Sequence, residues 1–257
     1  MKKNKCWVVK IGSALLTNNG KGIDKNLISE WVEQIVELQS HNIDVVLVSS
    51  GSIVEGMKRL GWKDKPSDIH KLQAAAAVGQ MGLVQAYEYL FAKHNVQTAQ
   101  VLLTQDNLIN TKHFENISAT LDNLLKFGAV PVINENDTVA TEEIKFGDND
   151  TLAALVANLL GAERLIILTD QHGVFDDDPR LNKDASLIKE IHFDDEKLER
   201  VAGKTGGILG SGGMYSKVMA AKQAAKSKTF SNIAWGREDK VLTRIHQGEH
   251  IGTLVHC

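Results

Sequence analysis

The chain has 257 residues with a hydrophobic fraction of 43%, enough for one large α/β domain or two small ones. A formal net charge of −3 gives no general basic footprint, so bulk binding of nucleic acid has no electrostatic support. Cys6 and Cys257, at opposite ends, make neither a disulfide framework nor a metal cluster, the apolar run near the N-terminus is too short for a signal peptide, and no stretch approaches a membrane span, so a cytoplasmic protein is expected.

In chain order, Cys6 to Val9 is a short apolar run that ends in Lys10 and a turn at Gly12-Ser13, the pattern of a buried strand with a tight exit. Asp24 is a candidate N-cap for a helix in which Leu27, Ile28, Trp31, Val32, Ile35 and Val36 recur at helical spacing. Asp44 to Ser49 predicts a second strand, which ends in Ser49-Ser50-Gly51-Ser52. Ile69 to His94 is a long Ala-rich helix pattern whose small residues suit close packing, including against a second subunit. A strand over Thr98 to Leu103 and a helix over Phe114 to Leu125 follow.

Val130 to Leu152 is the stretch around which the rest is organised. An apolar strand, Val130 to Ile133, runs into Asn134-Glu135-Asn136-Asp137, and a polar loop then delivers Asp148-Asn149-Asp150 to the start of the next apolar helix. Ligands of open α/β sheets sit in the crevice beyond the carboxyl ends of the strands. Arg164 to Thr169 is a further strand ending in Thr169-Asp170. The segment from Gln171 to Gly213 reads as looser, with turns at His172-Gly173 and Asp177-Asp178-Pro179. A helix over Tyr215 to Lys226 and strands over Ser231 to Trp235 and Thr253 to Val255 complete the chain. Near-continuous apolar strands alternating with helices predict a mainly parallel sheet between helical layers. With three prolines and no linker, one domain over residues 1–257 is expected.

The candidate chemistry lies in the strand-end loops. Lys10-Ile-Gly-Ser puts a lysine at the end of a buried strand, beside backbone that Gly12 lets a ligand approach. Ser211-Gly-Gly-Met-Tyr-Ser-Lys217 is a second such loop before a helix. Lys10 and Lys217 can flank a triphosphate, because phosphoryl transfer asks mainly for charge neutralisation and alignment. Asp148 and Asp150 can orient lysines, bind magnesium or receive an ammonium group; helix capping is the bland alternative for Asp150. The histidines lack ligand spacing and read as solvated, so no protein metal site is expected. Neither a Walker A loop nor a G-x-G-x-x-G fingerprint is present, which disfavours a nicotinamide dehydrogenase.

Taken together, Lys10-Ile-Gly-Ser with Thr17, Ser49-Ser-Gly-Ser, Val130 to Asp137, Phe146 to Asp150, Leu168 to Gln171, Asp178-Pro-Arg180, Gly210 to Met214 with Lys217, and Ile251-Gly-Thr253 resemble the glutamate 5-kinases over nearly the whole chain. The resemblance implies the amino acid kinase fold, with a glutamate-binding part over roughly 1–165 and a nucleotide-binding part over roughly 166–257. It implies ATP and Mg2+ as cofactors and L-glutamyl 5-phosphate as product, in the first step of proline synthesis. By position, Lys10 and Lys217 would stabilise the transferred phosphoryl group and Asp150 would organise them. Ser50, Asn134, Asp137, Asp148 and Asn149 would bind L-glutamate. Lys10, Gly12, Thr169, Asp170, Ser211, Gly212, Gly213, Met214 and Lys217 would hold ATP.

The resemblance also implies proline as a feedback inhibitor. The lability of the acyl phosphate makes its reductase, glutamate-5-semialdehyde dehydrogenase, an expected partner, and the Ala-rich helix suggests a homo-oligomer, dimer or tetramer; charge and hydropathy predict no nucleic-acid or membrane partner. The chain departs from the pattern at Ala14, Ser52 and Trp235, where serine, alanine and a smaller residue are usual, and a short form without the PUA domain that many members carry is expected. The loop Thr138 to Phe146, between the two halves of the proposed site, is expected to be mobile without glutamate and to act as a lid. A sibling kinase for another carboxylate or carbamate, or a non-catalytic amino-acid sensor, are the alternatives.

Overall fold

The computed structural model describes residues 4–18, 22–140, 149–204 and 213–257. Its strands are β1 (Lys5–Ile11), β2 (Ile43–Ser49), β3 (Thr98–Leu103), β4 (Val130–Glu135), β5 (Arg164–Thr169), β6 (Glu190–His192), β7 (Phe230–Trp235) and β8 (Thr253–His256). Its helices are α1 (Ser13–Leu16), α2 (Lys25–Ser40), α3 (Ser52–Arg59), α4 (Ile69–Ala92), α5 (Gln105–Ile109), α6 (Thr111–Lys126), α7 (Asp150–Leu160), α8 (Glu196–Lys204), α9 (Met214–Ala225) and α10 (Val241–His246).

The strands form one sheet in the order β3-β4-β2-β1-β5-β7-β8-β6. From β3 to β7 every pairing is parallel, and β8 runs antiparallel to β7. Successive side chains of a strand point to opposite faces, so one apolar run feeds two cores. Val8, Val46 and Val48 pack with α6, α7 and α9 on one face. Trp7, Val9, Val45 and Leu47 pack with α2, α4 and α10 on the other. A parallel sheet covered on both faces needs such near-continuous strands.

The crossovers change direction beside β1. The chain passes from β1 to β2 on one side, and α7 later carries it across to β5 on the other. The carboxyl ends of β1 and β5 therefore bound a crevice at the switch point of the sheet. Gly12 lies at its floor, its N–H donating to the Leu168 carbonyl at 3.3 Å.

Asp24 caps α2 as expected, accepting from the Leu27 N–H at 3.2 Å. Asp150 does not cap α7: Asn149 is the N-cap residue, it makes no side-chain cap bond, and Asp150 is the first helical residue. The capping alternative fails because both Asp150 oxygens are turned to lysines across the cleft. The segment read as loose holds β6 and α8, and a bridge between Phe175 and Leu187 closes its turns. At Asp178-Pro179-Arg180 the carboxylate accepts from its own loop, from Arg180 Nε at 3.0 Å and Nη2 at 2.7 Å. No helix among the described residues is long and apolar enough to cross a membrane.

Candidate active site

Strand parity explains how the central trio assembles. Lys10 shares its face of β1 with Cys6 and Val8, the face covered by α7 and α9. Those helices begin with Asp150 and, one turn in, Lys217. Lys10 Nζ lies 2.5 Å from Asp150 Oδ1, and Lys217 Nζ lies 3.1 Å from Asp150 Oδ2. All three are buried, at 3%, 0% and 6% exposure. Two ammonium groups thus share one carboxylate.

The carboxylate is fixed from two further directions. Its place in the first turn of α7 sets it against the positive end of that helix. The Ser216 hydroxyl lies 2.8 Å from Asp150 Oδ2 and also 2.8 Å from the Gly213 carbonyl, tying the start of α9 to the trio. The start of α9 adds backbone N–H groups of the kind that favour phosphate. Lys217 faces the same positive helix end, an unfavourable position that the shared Asp150 offsets.

A second cluster lies at the ends of β2 and β4. Asn149 Nδ2 donates to the Ser49 carbonyl and to Asn134 Oδ1, both at 2.7 Å. Asn134 Nδ2 donates to Gln80 Oε1 at 2.8 Å. Each amide thus fixes the orientation of the next, and the chain ends on α4. Behind it the Ser49 hydroxyl meets the Tyr87 hydroxyl at 3.1 Å, and burial pushes the Tyr87 phenol well above its usual range, against the weaker pull of that bond. Ser50 is buried beside this cluster, and the half-buried Asp137 carboxylate accepts from the Ser52 hydroxyl at 2.8 Å. A cavity of about 240 Å³ adjoins the Asp137 end rather than the lysines, lined among others by Ala77, Gln80, Leu102, Glu135 and Asn136.

On the other side of the crevice, Thr169 is buried, and its hydroxyl donates to the exposed Asp170 carboxylate at 3.1 Å. Gly213 and Met214 stand at the start of α9. Trp235 pairs in register with Thr169 and packs on the His172 ring, centroids 4.7 Å apart. His172 is therefore in ring contact as well as exposed, beyond the solvated reading of the histidines.

Among the expected site residues, Lys10, Asp150 and Lys217 meet directly, as do Asn134 and Asn149. Gly12, Ser50, Asp137, Thr169, Asp170, Gly213 and Met214 lie at the ends of the same strands or at the start of α9. Asp148, Ser211, Gly212 and residues 141–146 of the expected lid lie outside the described residues. Sequence reasoning missed Gln80 and the contacts made by Ser216 with Asp150 and by Ser52 with Asp137. A glutamine set between the small Gly79 and Gly82 of the Ala-rich helix was the available signal for Gln80.

Residues 5–232 match the amino acid kinase family. The chain is 58% identical to the glutamate 5-kinase of Hydrogenovibrio crunogenus over 253 residues, 98% of this chain and 67% of that protein. It is equally similar, at 58% over 249 residues, to the glutamate 5-kinases of Pseudomonas aeruginosa and Alcanivorax borkumensis, covering 97% of this chain and 67% and 66% of theirs. The chain thus spans about two thirds of the length of these relatives. Among solved structures, the UMP kinase of Bacillus anthracis superposes with a TM-score of 0.67 over 99% of this chain and 97% of that one, at 16% identity, a likeness of fold alone.

Proposed function

The chain belongs to the amino acid kinase family, and within it to the glutamate 5-kinases, and from this premise we propose that its cleft transfers the γ-phosphoryl group of ATP to the side-chain carboxylate of L-glutamate. The product is L-glutamyl 5-phosphate, the first intermediate of proline biosynthesis. The observation that carries the reading is the buried Lys10–Asp150–Lys217 trio at the switch point of the sheet.

The chemistry follows from charge. A glutamate side chain has a reference pKa of about 4.3, so it is already a nucleophilic carboxylate at pH 7 and needs no general base. One of its oxygens bonds to the γ-phosphorus while the bond from that phosphorus to the bridging oxygen breaks, and ADP leaves. The obstacle is the approach of two anions. In this reading Lys10 and Lys217 neutralise charge on the phosphoryl oxygens, and Asp150 holds both cations in place beforehand, so no reorganisation is needed during transfer. Ser50, Asn134, Asp137, Asp148 and Asn149 hold the amino acid, with Asp137 and Asp148 toward its α-ammonium group, and supply the alignment. Gly12, Thr169, Asp170, Gly213, Met214 and the loop at Ser211 and Gly212 hold the nucleotide. The glutamate part then runs to about residue 165 and the nucleotide part from about 166.

Mg2+ accompanies ATP in this reaction. The central carboxylate is engaged by two ammonium groups, so the residues present suit an ion carried on phosphate oxygens and water, as magnesium commonly is. When bound, it adds to the neutralisation between the two substrates.

The direct test is release of ADP by purified protein supplied with ATP, Mg2+ and glutamate. Turnover with aspartate or carbamate but none with glutamate would move the chain to a sibling kinase. Three finer proposals belong to the same reading. Proline, which shares the α-carboxylate and amine of glutamate, raises the glutamate KM. A homo-oligomer forms, supported by exposed Val78, Met81 and Tyr89 on the Ala-rich α4, and activity measured with and without proline, on protein sized by light scattering, tests both. The labile acyl phosphate passes to its reductase, glutamate-5-semialdehyde dehydrogenase, and a coupled assay with no advantage over free diffusion would remove that partner. Two free cysteines suit a reducing, cytoplasmic setting.

A further inference from the structure

We propose that Ser52 is a positioning residue for the amino-acid substrate, its hydroxyl holding the Asp137 carboxylate in the orientation that receives the α-ammonium group. This rests on the reading of Asp137 as an acceptor for that group. Ser52 Oγ donates to Asp137 Oδ2 at 2.8 Å across 85 residues of sequence. A serine hydroxyl has a single proton to give, and here it goes to a carboxylate, the stronger class of acceptor.

The donor is well placed to impose an orientation. Ser52 is 3% exposed and is the first residue of α3. It follows Gly51, whose φ of 98° lies in the left-handed region and turns the chain sharply out of β2. No side chain caps α3, so Ser52 is not occupied by its own helix terminus. Its backbone is clamped as well: a Cβ at Gly79 of α4 would stand 1.8 Å from the Ser52 carbonyl oxygen, a distance only glycine allows. Asp137, by contrast, lies in a turn beyond β4. A fixed hydroxyl that selects one orientation of a turn carboxylate lowers the ordering cost of binding.

The inference predicts a change in glutamate recognition with phosphoryl transfer spared. Ser52→Ala should raise the glutamate KM by about three- to tenfold, the size of a partly lost hydrogen bond to a charged group. The kcat and the ATP KM should stay within about twofold of the parent protein, and the melting temperature should be unchanged. Ser52→Thr, which keeps the hydroxyl, should restore much of the glutamate KM. An unchanged glutamate KM in Ser52→Ala overturns the inference. So does a joint shift of both KM values and kcat with a lowered melting temperature, which would mark a general structural role. No turnover of glutamate by the parent protein would instead overturn the reading on which the inference rests, so the two failures are separable.

Discussion

Asp150 carries a tight constraint at the scale of single residues, because it bridges two buried ammonium groups. Removing one partner of a buried ion pair costs about 3–5 kcal/mol, since the remaining charge is left in a poor medium. Asp150→Ala should therefore shift the urea midpoint by a loss of that size as well as abolish turnover; a midpoint equal to the parent's would show that the trio is not a buried electrostatic unit. Lys10→Ala and Lys217→Ala should lower kcat by about 10²–10³-fold, as when one preorganised charge stabiliser is lost. Their glutamate KM should change little, and an unaltered kcat would remove both lysines from the chemistry. Far from the cleft, burial raises the pKa of Glu163, but hydrogen bonds from Lys5 and Trp7, with the charges of Lys5 and Arg164, outweigh it and hold the carboxyl below its usual range. A depressed folded pKa stabilises the protein above the unfolded value, near 4.3, and that contribution is lost as pH falls through the folded one. Melting curves from pH 7 to pH 3 should show a shallower acid decline in Glu163→Gln, and parallel curves would contradict the assignment.

At the scale of elements, the α3–α4 contact decides how precisely the ends of β2 and β4 face each other. Gly56 and Gly79 let the two helices meet backbone to backbone: a Cβ on Gly56 would lie 1.7 Å from the Ala75 carbonyl oxygen. Two effects oppose each other in Gly79→Ala. Helix propensity favours alanine by about 1 kcal/mol, whereas overpacking costs about 1–3 kcal/mol. A Cβ pressed 1.8 Å from a backbone oxygen cannot be relieved by a rotamer change, so the steric term should win. The variant should melt at a lower temperature and bind glutamate more weakly, because α3 carries Ser52 and follows Ser50. A gain in stability would mean that the helices separate at little cost.

For the whole molecule, the sheet predicts a gradient of local stability. β1, β2 and β5 are flanked by strands on both sides and nearly wholly buried, whereas β6 is three residues long at the sheet edge. Opening energies follow burial and pairing. Amide exchange should be slowest in β1, β2 and β5 and fast in β6, and equal protection in β6 would contradict the gradient. A saturating nucleotide should add about 2.7 kcal/mol at a hundred times its Kd, read as a rise in melting temperature.

The residues alone determined much of this protein. Apolar runs from Cys6 to Val9 and from Arg164 to Thr169 read as buried parallel strands, because such strands must be apolar on both faces. The polar bursts at Asn134–Asp137 and Asp148–Asp150 pointed to a strand end and a helix start, where polar groups can converge, and Asn134 and Asn149 do meet there. The short β6 and α8, which buries little beyond Leu198 and Val201, escaped notice, since brief elements depend on their neighbours for stability more than on their own pattern. Only the tertiary structure decided that Asp150 serves two lysines instead of capping its helix, and that Ser52 reaches Asp137. These contacts join residues far apart in the chain, and the crossover of α7 from β4 to β5 is what brings Asp150 to Lys10. Local spacing says which face a side chain occupies; the packing of whole elements sets what stands opposite it.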